Sequence, residues 1–167
     1  MNPLRRSYEA RVLVVPLGAG GAKVTDELVT MGVEGVQVLA APDPVAALTK
    51  PIGEGAWQPP SPASTTQVTE SADMVVLVGH DLSDVPEDVV REVCTAAREG
   101  GDLIAAVLVA PENWQQPAGT TAMVTLRQEV DMLVEVRGPK LLAALLDVLR
   151  GGARAEDYPE LAEAATR

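Results

Sequence analysis

Short apolar runs alternate with amphipathic stretches along most of the chain. Five runs are largely apolar, most of them rich in β-branched residues, a pattern typical of strands buried on both faces of a parallel sheet. Several of the stretches between them carry apolar residues at helical spacing. The pattern predicts an α/β domain with an open, mostly parallel, Rossmann-like sheet and helices on both faces. The predicted strands cover residues 11–15, 36–41, 74–79, 103–110 and 132–136.

Helices are predicted in most of the intervals between these strands. The first follows a glycine-rich turn at 16–23 and ends near residue 31, where Gly32 would stop it. The others are predicted from apolar spacing and from the glycines or prolines at their ends. They cover residues 85–99, 121–130 and 141–150.

Three further segments lack a regular apolar pattern. Residues 49–71 contain repeated prolines and glycines, and they are predicted to form a loop that is unusually long for a compact domain. Residues 1–10 are predicted to be a flexible arm, and 151–167 a C-terminal tail. The expected organisation is therefore one domain at 11–150 with an arm and a tail.

Composition excludes several classes of function. The chain has 167 residues, is 47% apolar and carries a net charge of −11, so we expect repulsion from nucleic acids and anionic membranes. Its one cysteine, Cys94, excludes an internal disulfide and suits a reducing cytoplasm. No apolar run approaches the roughly 20 residues needed to cross a bilayer. The expected location is cytoplasmic.

The glycine-rich turn is the first candidate for chemistry. A strand that leads through glycines into a helix brings bare N–H groups and a helix N-terminus together, an arrangement that favours phosphate. The turn is neither a full dinucleotide fingerprint nor a P-loop. Packing of the turn alone is the equally weighted alternative. The candidate nucleotide-binding residues are Gly18, Gly20, Gly21 and Lys23, with Asp43 after the second strand as a ribose-binding acid.

The only histidine lies in an acidic stretch. His80 follows a predicted strand, with Asp81 and Asp84 close by, so a metal or acid–base cluster is one interpretation. A structural role is favoured, because Asp84 and Glu87 have the spacing of a capping box at the start of the next helix. We therefore predict neither a catalytic nor a metal-ligating residue here.

The last helix and the two tryptophans are candidate interface elements. The helix is apolar on all sides, which is typical of a buried helix, so we predict that another protein subunit or a second copy covers it. The alternative is that the tail, with Tyr158 and Leu161, folds back over it. Both tryptophans lie in proline-bearing loops, where they would anchor either an interface or their own loop. The candidate interface residues are Leu141, Leu142, Leu145, Leu146, Leu149, Trp57 and Trp114.

Four blocks in order resemble the bacterial division GTPase FtsZ. Residues 28–48 (L-V-T-M-G-V-E-G-V-Q-V-L-A-A-P-D-P-V-A-A-L) are similar to the stretch after that family's first nucleotide loop, which would correspond to 16–23. A-D-M-V at 72–75 resembles the opening of its third strand. L-R-Q-E-V-D-M-L-V at 126–134, followed by K-L-L, resembles a later segment. The resemblance implies the nucleotide-binding half of the tubulin/FtsZ superfamily.

The departures from that family shape the expected function. Residues 79–86 (G-H-D-L-S-D-V-P) replace its glycine-rich signature loop with a segment that carries two acids, and its guanine-reading Asn-Asp pair has no match. We also find no counterpart of its second, catalytic domain. We predict a non-hydrolysing FtsZ-like scaffolding, accessory or regulatory subunit that requires no cofactor. The alternatives are a GDP or GTP sensor and a small NAD(P)-dependent Rossmann-like enzyme.

Overall fold

A six-stranded sheet forms the centre of the protein. The computed structural model describes residues 9–151, and the strand order is β3-β2-β1-β4-β5-β6. All neighbouring strands are parallel except β3, which runs antiparallel to β2 at one edge. The strands are β1 (Val12–Pro16), β2 (Val36–Ala41), β3 (Leu48–Ile52), β4 (Met74–Asp81), β5 (Leu103–Glu112) and β6 (Met132–Val136).

Five α-helices cover the two faces of the sheet. Side chains of α2, α3 and α4 pack into one apolar layer, and those of α1 and α5 pack into the other. This double coverage explains the continuously apolar central strands, and it confirms the predicted α/β architecture. The helices are α1 (Gly18–Thr30), α2 (Thr65–Ser71), α3 (Glu87–Gly100), α4 (Pro117–Glu129) and α5 (Pro139–Arg150), and a 3₁₀ helix covers Leu82–Asp84.

The predicted long loop at 49–71 is wrong, because it contains most of β3 and all of α2. Pro51 is tolerated in β3 because this strand lies at the sheet edge, where proline's missing N–H need not enter a ladder. α2 starts with a capping box: Ser64 Oγ accepts the Gln67 N–H at 3.1 Å, and Gln67 Oε1 accepts the Ser64 N–H at 2.9 Å.

Trp57 lies inside this segment and is only 3% exposed. Its indole Nε1–H donates to the Val12 carbonyl at 2.8 Å, and its own carbonyl accepts from Gln37 Nε2 at 2.9 Å. Trp57 therefore fastens its own segment to the first strands of the sheet. Its predicted role as an interface residue is corrected, because the ring is not available at the surface.

The last helix is partly covered by the chain itself. Leu142 and Leu146 are fully buried against the sheet, so these two residues belong to the core rather than to an interface. Leu145 and Leu149 are half-buried, whereas Leu141 and Val148 are exposed. The expectation of an uncovered apolar helix thus holds for one side of α5 only.

The ends of the predicted organisation lie largely outside the described residues. Of the predicted arm, Glu9 and Ala10 are described: Ala10 donates its N–H to the Arg150 carbonyl, and Glu9 pairs with the Arg150 guanidinium at 3.1 Å. The predicted tail, including Tyr158 and Leu161, lies outside the described residues except for Gly151. Every helix within residues 9–151 is too short or too polar to cross a membrane.

Candidate functional site

The candidate site lies at the carboxyl ends of β1 and β4, where the strand order reverses. In an open parallel sheet this position forms a crevice, because the helices that follow the two strands lie on opposite faces. β1 leads into α1 on one face, and β4 leads through the 3₁₀ helix into α3 on the other. The glycine segment and the His80–Asp84 segment therefore meet here.

The glycine segment is the first turn of α1 rather than a separate loop. Gly18 has a φ of +71°, a conformation that favours glycine, and a Cβ there would collide with the main-chain oxygen of Asp84. A Cβ on Gly20 would lie 3.1 Å from the Asp81 nitrogen. These glycines allow α1 to approach the segment after β4 closely. The glycines thus bring the first turn of α1 close to the segment after β4, and the close contact is made within the chain rather than with a ligand.

Asp84 places a carboxylate on the N-terminus of α1. Its Oδ2 accepts the Ala19 N–H at 2.7 Å, so an anion of the protein occupies the position that a phosphate would take. The expectation that Asp84 caps α3 is wrong, since α3 has Pro86 at its N-cap and no side-chain cap. Glu87, the other member of the expected capping box, instead accepts the Thr125 hydroxyl at 2.7 Å.

The other two predicted nucleotide residues lie apart from this bond. Lys23 is exposed on α1, one turn after the glycines. Asp43 Oδ1 accepts the N–H groups of Val45 and Ala46 at 2.7 and 2.8 Å, and these bonds hold the pKa of the carboxyl below its ordinary value. The Asp43 carboxylate therefore stabilises the turn after β2.

Asp81 is the centre of a hydrogen-bond cluster at the end of β4. Its Oδ1 accepts from Asn113 Nδ2 at 2.9 Å, from Ser83 Oγ at 2.6 Å and from the Ser83 N–H at 3.0 Å. These donors, Asn113 first, lower the pKa of the Asp81 carboxyl. The cluster ties the loop after β5 to the end of β4. Asn113 was missed from the sequence because the contact joins positions 32 residues apart.

His80 points towards the end of β5. Its Nδ1 donates to the Val109 carbonyl at 2.8 Å, and its Nε2 lies 3.7 Å from Glu112 Oε1. The carbonyl accepts only, so this bond places a proton on Nδ1. Within residues 9–151 no three histidine, cysteine or acidic side chains are arranged to hold a metal ion.

A groove of about 930 Å³ adjoins this edge. It lies between the loop after β5, one flank of α4, and Glu135 of β6, and Trp114 stands at it with 56% of its surface exposed. Two non-glycine residues here, Ala110 near the end of β5 and Asn113 in the loop after it, have positive φ angles of 43° and 61°. Such strained positions cluster at functional sites. Because its side chain is exposed, Trp114 remains a predicted interface residue.

Comparison with known proteins does not assign the chain to a family. No protein-family model matches the chain, and no curated protein matches it. Translation elongation factor SelB from Methanococcus maripaludis is 11% identical with a TM-score of 0.48, and the match covers 89% of this chain but 38% of SelB. A putative flavoprotein from Bacteroides eggerthii is 14% identical with a TM-score of 0.40, over 84% and 98% of the two chains. Neither similarity supports a functional assignment.

Proposed function

We propose that the chain is a non-hydrolysing, FtsZ-like accessory subunit that binds other protein subunits and does not bind nucleotides. The observation that carries this proposal is the bond between the Asp84 carboxylate and the Ala19 N–H. A helix N-terminus attracts a phosphate through its unpaired N–H groups and its partial positive charge. Here one of these N–H groups, that of Ala19, is already bonded to a carboxylate of the same chain, and the negative charge of that carboxylate offsets the partial positive charge of the helix end.

Electrostatics at the crevice support the same proposal. A phosphate approaching α1 would meet the carboxylates of Asp84 and Asp81 in a protein whose net charge is −11. Lys23 is the nearby cation in the sequence, but it lies on the exposed side of the helix. Displacing Asp84 would also open the contact between α1 and the 3₁₀ helix, because the Asp84 main chain packs directly on Gly18.

The two alternatives make different demands on this crevice. A GDP or GTP sensor requires Asp84 to leave the α1 N-terminus when nucleotide arrives. An NAD(P)-dependent enzyme further requires an acid on the ribose, and the Asp43 carboxylate is held by its own turn. Both alternatives therefore need a rearrangement that the accessory-subunit proposal does not.

Isothermal titration calorimetry of the wild-type chain with GDP, GTP, ATP and NAD tests the proposal. We expect no saturable heat with any of the four. Asp84→Ala is the informative variant, because it vacates the helix N-terminus, and Asp88→Ala is its matched control on the first turn of α3. Saturable binding of GDP or GTP to the wild type would favour the sensor, and tight binding of NAD would favour the enzyme.

A further inference from the structure

β6 leaves one edge of the sheet open. It pairs with β5 on one side, and no strand within residues 9–151 pairs with its other side. Its apolar residues Met132, Val134 and Val136 are half-buried, whereas the apolar residues of the neighbouring Ile104–Val109 stretch of β5 are buried. An open edge presents unpaired N–H and C=O groups, which form a template for another strand.

The outer side of α5 extends this surface on one face of the sheet. Ala143, Ala144 and Asp147 line a cavity together with residues 31–34, which follow α1, so this side of α5 faces the end of α1. By the 3.6-residue repeat, Leu141 and Leu145 lie on the other side of the helix, and Val148 lies between that side and the outer surface. Because α1 packs on β1 and β4 whereas α5 packs on β5 and β6, the side of α5 away from α1 is the side nearer the β6 edge. Leu141 is 52% exposed and Val148 is 66% exposed.

The open edge and the α5 stripe lie on the same face. Val134 is in register with Val107, and Val136 is in register with Val109. Val107 and Val109 belong to the apolar layer that α1 and α5 cover. Side chains in register point to the same face of a sheet, so Met132, Val134 and Val136 continue the apolar stripe of α5.

We propose that a second copy of this chain pairs with β6 in antiparallel orientation, around a two-fold axis at Val134. In this register Val134 of each copy faces Val134 of the other, and Met132 faces Val136. Asp131 of each copy then faces Arg137 of the other, so the charges at the two ends of the strand are complementary. The dimer joins two sheets of six strands into one.

The charge pattern is what selects a second copy as the occupant. Asp131 is exposed; its Oδ2 accepts the Ile104 N–H of β5 at 2.9 Å, and its Oδ1 accepts no hydrogen bond from a described residue, so Oδ1 is the oxygen left for a guanidinium of the second copy. Arg137 is exposed and forms no ion pair with any described residue. Exposed ion pairs contribute little affinity. The two Asp131–Arg137 pairs of the dimer therefore serve to select the register in which the strands pair.

Affinity in this dimer comes from the apolar surface. A perpendicular two-fold axis keeps α5 of both copies on one face of the joined sheet, where their exposed stripes meet. Closed two-fold dimers use the same patch on both subunits, as this arrangement does. The inference deepens the proposed function and rests on it for the role of the contact in an assembly.

Sedimentation equilibrium and cross-linking test the dimer and its register. We expect a mass twice that of the 17.5 kDa chain at micromolar concentration. Val134→Cys should form an intermolecular disulfide under mild oxidation, because paired residues on adjacent strands lie within disulfide reach. The native Cys94 is buried and does not interfere. Val29→Cys, on the exposed side of α1, should not cross-link.

A pair of charge variants tests the apolar contact. Leu141→Glu should raise the dimer dissociation constant by about tenfold or more, because it buries a charge at the contact. Val29→Glu is the matched control, since Val29 and Leu141 are both 52% exposed, and it should leave the dimer unchanged. The thermal midpoint of each variant verifies that it folds.

Three results would overturn the proposal: a monomer at every concentration, a dimer that Val134→Cys fails to cross-link, or equal weakening by both charge variants. A full chain that is monomeric while a variant lacking 152–167 dimerises would overturn it too, because the tail would then be the occupant. Nucleotide binding is a separate readout. A dimer that binds GDP would contradict the proposed function and leave the β6 contact standing.

Discussion

Replacing Asp102 with asparagine should stabilise the protein in a manner that depends on pH. Asp102 follows Gly101, the left-handed residue that ends α3, and it is 8% exposed. Its Oδ2 is buried without a hydrogen-bond partner among the described residues. Burial, with smaller contributions from Asp73 and Glu70, raises the pKa of this carboxyl from 3.8 to about 7. Arg11 acts in the opposite direction.

The sign of the effect follows from the two pKa values. Well below pH 3.8 the carboxyl is protonated in both the folded and the unfolded chain, so it costs no stability. As the pH rises towards 7, the unfolded chain releases the proton first, and the folded state loses stability relative to it. The difference between 3.8 and about 7 corresponds to an upper bound of roughly 4 kcal/mol, which is fully present above pH 7.

Urea denaturation of the wild type and Asp102→Asn, measured from pH 4 to pH 8.5, checks this reasoning. We expect the smallest difference between the free energies of unfolding at the acidic end and a variant that is more stable by about 1–4 kcal/mol at the alkaline end. Taking the difference between the two proteins cancels carboxyl groups that are unaffected by the change. A difference that stays constant with pH, or a variant that is less stable at pH 8, would show that the Asp102 carboxyl does not cause the pH-dependent loss of stability.

The remaining predictions concern the core and the crevice. Asp84→Ala should lower the free energy of unfolding by about 1 kcal/mol through loss of a helix cap, and added phosphate should recover part of it in urea denaturation. Trp57→Phe should cost about 1–3 kcal/mol by leaving the partner carbonyl unpaired, whereas Trp114→Phe should change the thermal midpoint little. Gly18→Ala should destabilise more than Gly32→Ala in the same assay: both have positive φ, but only Gly18 is crowded.

The sheet could be predicted because burial leaves a direct mark on its central strands. β1, β4 and β5 are covered on both faces, and their sequences are accordingly continuously apolar until the polar residues at the carboxyl ends of β4 and β5. β3 was missed because an edge strand needs neither continuous apolarity nor every N–H, and its sequence, L-T-K-P-I, contains a proline. α2 was missed although its Ser64–Gln67 capping box is a local signal that the sequence contains.

The candidate site was harder to predict because its main contacts join distant parts of the chain. Asp84 has the spacing of a cap for the helix that follows it, yet it caps α1, 65 residues earlier. The side chain of Trp57 similarly bonds a carbonyl 45 residues away. Local spacing identifies residues that are able to cap or anchor. Which helix or strand they reach depends on the packing of the whole sheet.

The amide of Ala19 reports most directly on whether the Asp84 carboxylate occupies the N-terminus of α1, where a phosphate would otherwise bind. Proton–nitrogen correlation spectra of the labelled protein would be recorded during titration with GDP, with Asp84→Ala titrated in parallel. The account predicts that the wild-type Ala19 signal stays in place up to millimolar GDP and that the variant alone shifts this signal. A saturable shift of the wild-type Ala19 and Gly20 signals at micromolar GDP would contradict it.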